Sequence, residues 1–167
     1  APYAQGKLME KALLMTIPAV GKSAPDFTLQ TDAGEPFTLS DQRGRSVLIY
    51  FYPQADTPAC NDQNLAFTAN AKWFAERDIV LVGISPDSVE KLSNFRQKYA
   101  LSPILLSDPD HKAIGPYGVW GEKKNYGRTY EGLIRSTVLI DPEGRIAQVW
   151  PNIRAKGHVE RVMKAIG

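Results

Sequence analysis

Two runs of this chain, Val47-Leu48-Ile49-Tyr50-Phe51-Tyr52 and Ile79-Val80-Leu81-Val82-Gly83-Ile84, are apolar on both faces of a strand. A strand with one wet face alternates apolar and polar residues, so these two predict central strands of a sheet covered on both sides. Between them, Leu65, Ala66, Ala69, Trp73 and Phe74 recur at helical spacing, which predicts a helix from Pro58 to about Arg77. Pro58 suits its first position, with Thr57 as N-cap.

The rest of the chain continues the alternation. Residues 24–30 and 36–40 alternate around the turn Asp32-Ala33-Gly34 and read as a β-hairpin. Residues 40–44 read as a short capped helical turn. Val89, Leu92, Phe95, Arg96 and Tyr99 mark a helix with Ser88 as N-cap. Residues 104–106 form a short strand, and Asp108-Pro109-Asp110 opens a short helix over 112–117. Residues 120–132 read as a polar, glycine-containing loop. Residues 136–140 and 145–150 pair antiparallel across the turn at 141–144, and a last helix covers 157–166. The expected fold is α/β, a mixed central sheet flanked by helices with an N-terminal hairpin, in one domain over residues 17–167.

The chain has 167 residues, 43% hydrophobic and 23% charged, the composition of one soluble globular domain. Residues 1–16 are set apart as an extension: they lack the basic start and apolar stretch of a signal peptide and begin without Met. Met15 is a candidate natural start, and residues 8–15 have the spacing of one short amphipathic helix. Net charge is +2 with no Lys/Arg block, which argues against nucleic acid and acidic membranes as partners. No apolar run approaches the ~20 residues of a membrane span. A cytoplasmic location is expected. The single cysteine excludes an intramolecular disulfide and the disulfide-stapled class of secreted domain.

That cysteine, Cys60, follows Pro53-Gln54-Ala55-Asp56-Thr57-Pro58-Ala59 and falls in the opening turn of the first expected helix. A lone cysteine is more often a small buried hydrophobe. Here the polar, proline-bearing loop and the helix start point to a reactive thiolate, because helix N-terminal N–H groups favour negative charge. Peroxide reduction needs an ionised thiol, fixed donors for the leaving oxygen, and a hydroxyl that can both donate and accept. Cys60, Arg135, Thr57 and Pro53 would supply the nucleophile, a guanidinium, the hydroxyl and a shield from bulk water. Arg135 precedes the strand at 136–140 and would have to reach Cys60 through the fold.

With these residues the chain resembles the peroxiredoxins. Pro53-x-x-x-Thr57-x-x-Cys60 is similar to their active-site motif. Tyr50-Phe51-Tyr52-Pro53, Val82-Gly83-Ile84-Ser85-Pro86-Asp87-Ser88, Leu105-Leu106-Ser107-Asp108, Glu122-Lys123-Lys124-Asn125-Tyr126-Gly127 and Arg135-Ser136-Thr137 resemble the bacterioferritin-comigratory, or PrxQ, branch. The resemblance covers residues 17–166. It implies a thioredoxin-like fold, catalytic roles for Cys60, Thr57, Arg135 and Pro53, reduction of hydrogen peroxide and alkyl hydroperoxides, and commonly a monomer. Many members of this branch carry a resolving cysteine at the position of Leu65 or of Arg96. Neither is cysteine here, whether by natural descent or by substitution. The resemblance therefore implies a one-Cys cycle, regenerated by an external thiol or a thioredoxin-type partner, with over-oxidation to sulfinic acid as a hazard.

Other candidates read as structure. Thr57-Pro58-Ala59-Cys60 lacks the first thiol of a C-x-x-C dithiol. His111 and His158 are expected at the surface, and one cysteine with two histidines gives a zinc site little support. Asp108-Pro109-Asp110 reads as a capping turn, and Glu122-Lys123-Lys124 as a solvated loop. No glycine-rich phosphate loop is present, so neither cofactor nor metal is expected. The competing function is a non-enzymatic thioredoxin-fold redox sensor or binding module, in which Thr57 and Arg135 have no assigned task.

Overall fold

The two apolar runs lie side by side at the centre of a sheet. The computed structural model describes residues 17–167. In chain order the strands are β1 (Thr28–Thr31), β2 (Pro36–Thr38), β3 (Ser46–Phe51), β4 (Ile79–Ser85), β5 (Ile104–Ser107), β6 (Trp120–Asn125), β7 (Arg128–Leu133), β8 (Ser136–Ile140) and β9 (Ile146–Trp150). The helices are α1 (Pro58–Ala69), α2 (Ala71–Glu76), α3 (Val89–Tyr99) and α4 (His158–Ile166), with a 3-10 turn at Leu39–Gln42. Seven strands form one mixed sheet in the order β2-β1-β5-β4-β3-β8-β9. β3, β4 and β5 run parallel, and the flanking pairs are antiparallel. The proposed helix at 8–15 and the extension at 1–16 lie outside the described residues.

The pleat of β3 divides the core. Leu48, Tyr50 and Tyr52 face one side with Cys60, Phe67, Phe74, Leu92, Phe95, Val159 and Val162. The four α-helices of the described residues therefore bury their apolar residues on that side. Val47, Ile49 and Phe51 face the other, where, among the described residues, Phe27, Leu39, Ile114, Tyr117 and Leu133 cover them without an α-helix. The short helix expected at 112–117 is a run of turns instead. The fully buried Asp108 carboxylate accepts N–H bonds from Lys112, Ala113 and Ile114 at 2.7–2.9 Å, so it caps as expected, but Pro116 has no N–H to continue the ladder, and the helical bonds from Gly115 to His111 and from Tyr117 to Ala113 stand apart.

Three other expectations change. The helix from Pro58 is interrupted at Asn70, whose side chain donates to the Ala66 carbonyl at 2.8 Å and separates α1 from α2. The expected loop at 120–132 is the β6–β7 hairpin, apart from the main sheet. Its two-residue turn, Tyr126-Gly127, takes φ of 51° and 75°, the doubly left-handed geometry that matches strand twist. Its mostly exposed, charged strands carry little apolar alternation to read. His158 is fully buried rather than at the surface. Its Nε2 lies 2.8 Å from Thr137 Oγ1, and the Trp150 ring stands edge-on to it, so it fastens the start of α4 to β8.

Two predictions follow from this packing. A Cβ on Gly83 would stand 2.7 Å from Tyr50 Cζ. That ring cannot retreat, being stacked on Phe67 and donating to Asn64. Gly83→Ala should cost ~1–3 kcal/mol in urea unfolding. Burial, with the charges of Arg161 and Arg135, pushes the His158 imidazole down to about 4 from 6.5. The unfolded chain thus takes up a proton near 6.5 that the folded protein refuses until about 4, so stability must fall as pH drops through that window. His158→Gln keeps a partner for Thr137 without a titrating proton. A melting series across this range should fall less steeply for it than for the parent.

Candidate active site

β3 ends at Phe51, and Tyr52 still donates to the Ile84 carbonyl before the chain leaves the sheet. Pro53 turns it away, half-buried, into the loop that reaches Thr57. Thr57 takes the extended N-cap conformation and Pro58 the first helical position, as the sequence suggests. The Thr57 side chain makes no capping bond. Its hydroxyl donates to the Gln54 carbonyl at 2.9 Å, leaving the oxygen's lone pairs as acceptors. Cys60 is the third residue of α1, fully buried.

Arg135 arrives through the sheet. β8 runs antiparallel to β3 with Ser136 opposite Phe51, so the residue before Ser136 falls beside the C-terminal end of β3. The Arg135 carbonyl accepts from Ile153 N at 2.8 Å, which anchors its backbone. Nη2 donates to Cys60 Sγ at 3.1 Å. Nη1 donates to Gln63 Oε1. The two nitrogens of one planar fork thus hold a thiol and an amide that stand one helical turn apart.

Gln63 is the main residue that sequence reasoning missed. Its three-residue offset from Cys60 on α1 was the available signal. It is fully buried, and its Nε2 makes no hydrogen bond among the described residues. Such an unpaired donor costs roughly 1–3 kcal/mol, and it stands beside the guanidinium that meets the thiol. Asn64, also missed, ties the helix to the sheet: its Nδ2 donates to the Cys60 carbonyl at 2.9 Å while its Oδ1 accepts from Tyr50 OH at 2.7 Å. Burial pushes Tyr50 well above the ordinary range of a phenol, so its hydroxyl stays a donor.

The β6–β7 hairpin brings a second cation, where a solvated loop was expected. Lys123 Nζ donates to the Leu133 carbonyl at 2.8 Å, two residues before Arg135. Burial first, then the charge of Arg135, pushes Lys123 below the ordinary range of a lysine, while Cys60 pulls the other way. A cleft of about 640 Å³ opens beside Lys123 and Ser136, but none of Pro53, Thr57, Cys60 or Arg135 lines it. Among the described residues, no group of His, Cys, Asp and Glu could hold a metal ion, and no helix is long and apolar enough to cross a membrane.

The arrangement is a buried thiol held by a guanidinium, three residues into a helix whose N-cap is Thr57 and which follows the loop carrying Pro53. A model of the AhpC/TSA family matches residues 20–149. Peroxiredoxin Bcp of Bacillus subtilis is 42% identical over 152 residues, 91% of this chain and 96% of that protein. A putative peroxiredoxin bcp of Coxiella burnetii is 44% identical over 144 residues, 86% of this chain and 95% of that one. Among solved structures, the bacterioferritin comigratory protein of Xanthomonas campestris, studied for its alkyl peroxide reduction activity, aligns with a TM-score of 0.82 at 32% identity. That alignment covers 89% of this chain and 97% of that one. The matched stretch includes both central strands, the Cys60 loop and β8, and on that footing the chain belongs to the AhpC/TSA family, in its Bcp/PrxQ peroxiredoxin branch.

Proposed function

We propose that Cys60 is the nucleophile of this thiol-dependent peroxidase, with Arg135, Thr57 and Pro53 as its catalytic partners. The observation that carries the reading is the 3.1 Å contact from Arg135 Nη2 to Cys60 Sγ. A guanidinium there favours the thiolate and can turn a second N–H towards the peroxide. The thiolate sulfur attacks one oxygen of ROOH. An S–O bond forms, the O–O bond breaks, and the other oxygen leaves as RO⁻, which takes up a proton to give ROH. Thr57 Oγ1, with its own proton on Gln54, accepts from the hydroperoxide O–H, and Pro53 keeps bulk water off the thiolate.

The product is a Cys60 sulfenic acid, and the 167 residues hold no second thiol to condense with it. At the two positions where the branch carries a resolving cysteine stand a half-exposed leucine, Leu65, and a fully engaged arginine, Arg96. The Arg96 guanidinium grips both Asp32 oxygens, at 2.5 and 3.0 Å, and the carbonyls of Leu101 and Pro103. An arginine with four hydrogen bonds to three residues belongs to the architecture, which supports position 96 being natively an arginine and so a one-Cys cycle. An external thiol or thioredoxin-type partner then attacks the sulfenic sulfur, releases water and leaves a mixed disulfide, which a second thiol reduces.

Intact mass after one equivalent of hydrogen peroxide, with and without a sulfenic-acid trap, tests the reading. One added oxygen on Cys60, trappable and reset by thiol, is the expected result. An unmodified thiol would overturn it. Cys60→Ser should retain the fold and lose all turnover. Arg135→Ala should slow the peroxide reaction by roughly 10²–10³-fold, and an unchanged rate would remove Arg135 from the mechanism.

A further inference from the structure

A buried carboxylate stands against the loop that carries Pro53 and Thr57, and the chemistry above leaves it without a task. Asp87 lies two residues past β4, its side chain 7% exposed. Its Oδ2 accepts from Ala55 N at 2.7 Å and from Ser85 Oγ at 2.8 Å. Its Oδ1 pairs with Lys91 Nζ at 3.1 Å, four residues on. Its own carbonyl accepts from Ser107 Oγ at 2.5 Å, and its N–H reaches Ser85 Oγ at 3.3 Å. One residue therefore joins the loop after β3, the loop after β4, the first turn of α3 and the end of β5. A buried charge is tolerated only when its acceptor sites are filled, and here they are.

The loop it holds is under strain. Asp56, next to Ala55, takes φ of 59°, the left-handed region that costs a side-chain-bearing residue some strain, though less for aspartate than for most. The Asp56 carboxylate is pinned to the far end of α3, accepting from Lys98 Nζ and Tyr99 OH at 2.8 Å each and, at 3.4 Å, from Asn61 Nδ2. So the loop is gripped at Ala55 by one carboxylate and at Asp56 through another. Only the Asp87 grip is buried and acts on the main chain.

We propose that Asp87 is a positioning residue for peroxide reduction. Through the Ala55 N–H it sets the 53–57 loop so that the Thr57 hydroxyl and Pro53 keep their places beside Cys60. The proposal rests on Cys60 being the peroxide-reactive thiol. Arg135 reaches that thiol from β8 and does not depend on this loop. Losing Asp87 should therefore harm the reaction that needs the loop and spare one that needs only the thiol.

The experiment compares second-order rates with hydrogen peroxide and with iodoacetamide for the parent, Asp87→Ala, Asp87→Asn and Asp87→Glu, alongside melting temperatures. Asp87→Ala should react with peroxide at least about tenfold more slowly, since a displacement near 1 Å can cost up to ~10²-fold, while alkylation is equal or faster. Asp87→Asn retains an oxygen for Ala55 N and should recover most of the peroxide rate. Asp87→Glu keeps the charge and displaces the acceptor by one methylene; it decides the question if Asp87→Ala does not fold, and should lower the peroxide-to-alkylation ratio several-fold. A ratio equal to the parent's in folded Asp87→Glu, or peroxide and alkylation rates that fall together, would overturn the role of Asp87 alone. A parent that alkylates but ignores peroxide would overturn the assignment of Cys60 as well.

Discussion

The Arg135 guanidinium meets the Cys60 sulfur across 75 residues of chain, and the antiparallel register of β8 on β3 is what brings them together. Ser136 opposite Phe51 puts Arg135 at the mouth of the strand from which the Cys60 loop departs. A slip of one residue would turn every side chain of β8 to the other face, taking Val138 and Ile140 off the core they share with Ile49 and Phe51 and setting the Thr137 hydroxyl there instead. The same apolar burial that holds the sheet therefore holds the register, and the register holds the site. Gln63 and Asn64 complete the fit from the helix side, one by taking the second arm of the arginine fork, the other by tying the Cys60 carbonyl to Tyr50.

Charge is distributed unevenly around this centre. One cation meets the thiol, Arg135, and a second, Lys123, is held on the Leu133 carbonyl two residues before it. Carboxylates hold the loop instead, Asp87 from outside at the Ala55 main chain and the loop's own Asp56 by reaching to α3. The separation is chemically sensible. A thiolate and a leaving oxide both gain from positive surroundings, whereas a main-chain N–H in a bent loop needs an anionic acceptor. Cys60 is fully buried, so any molecule that reaches its sulfur needs a path through the residues that cover it.

Much of the fold is legible because burial writes its period into the chain. The apolar runs at 47–52 and 79–84 mark β3 and β4 to within a residue or so of their bounds, since a strand covered on both sides is mostly apolar on both. Ser88 is a true N-cap, its hydroxyl accepting from Lys91 N at 3.2 Å. The hairpin at 120–133 left little trace because its faces are mainly wet, and the turns at 112–117 could not be told from a helix because the Asp108 carboxylate decides that conformation. His158 reads as a surface residue from its polar neighbours. It is buried because α4 lays it on Thr137, a contact no local pattern records.

The sequence by itself determined the alternation of strands and helices, the helix start that holds Cys60, and the absence of a second thiol within these residues, all properties of local spacing or of counting. It also named Arg135, by resemblance. Only the tertiary structure decided that Arg135 touches the sulfur, that Gln63 shares its fork, that Lys123 stands behind it, and that Asp87 grips Ala55. Three of those contacts join residues 32 to 75 positions apart, and the fourth, from Lys123 to Leu133, spans only 10 but crosses a hairpin whose strands are mostly wet. Hydrophobic period says which face a residue takes, while hydrogen bonds between distant side chains depend on register and loop path, which are set when the whole sheet packs.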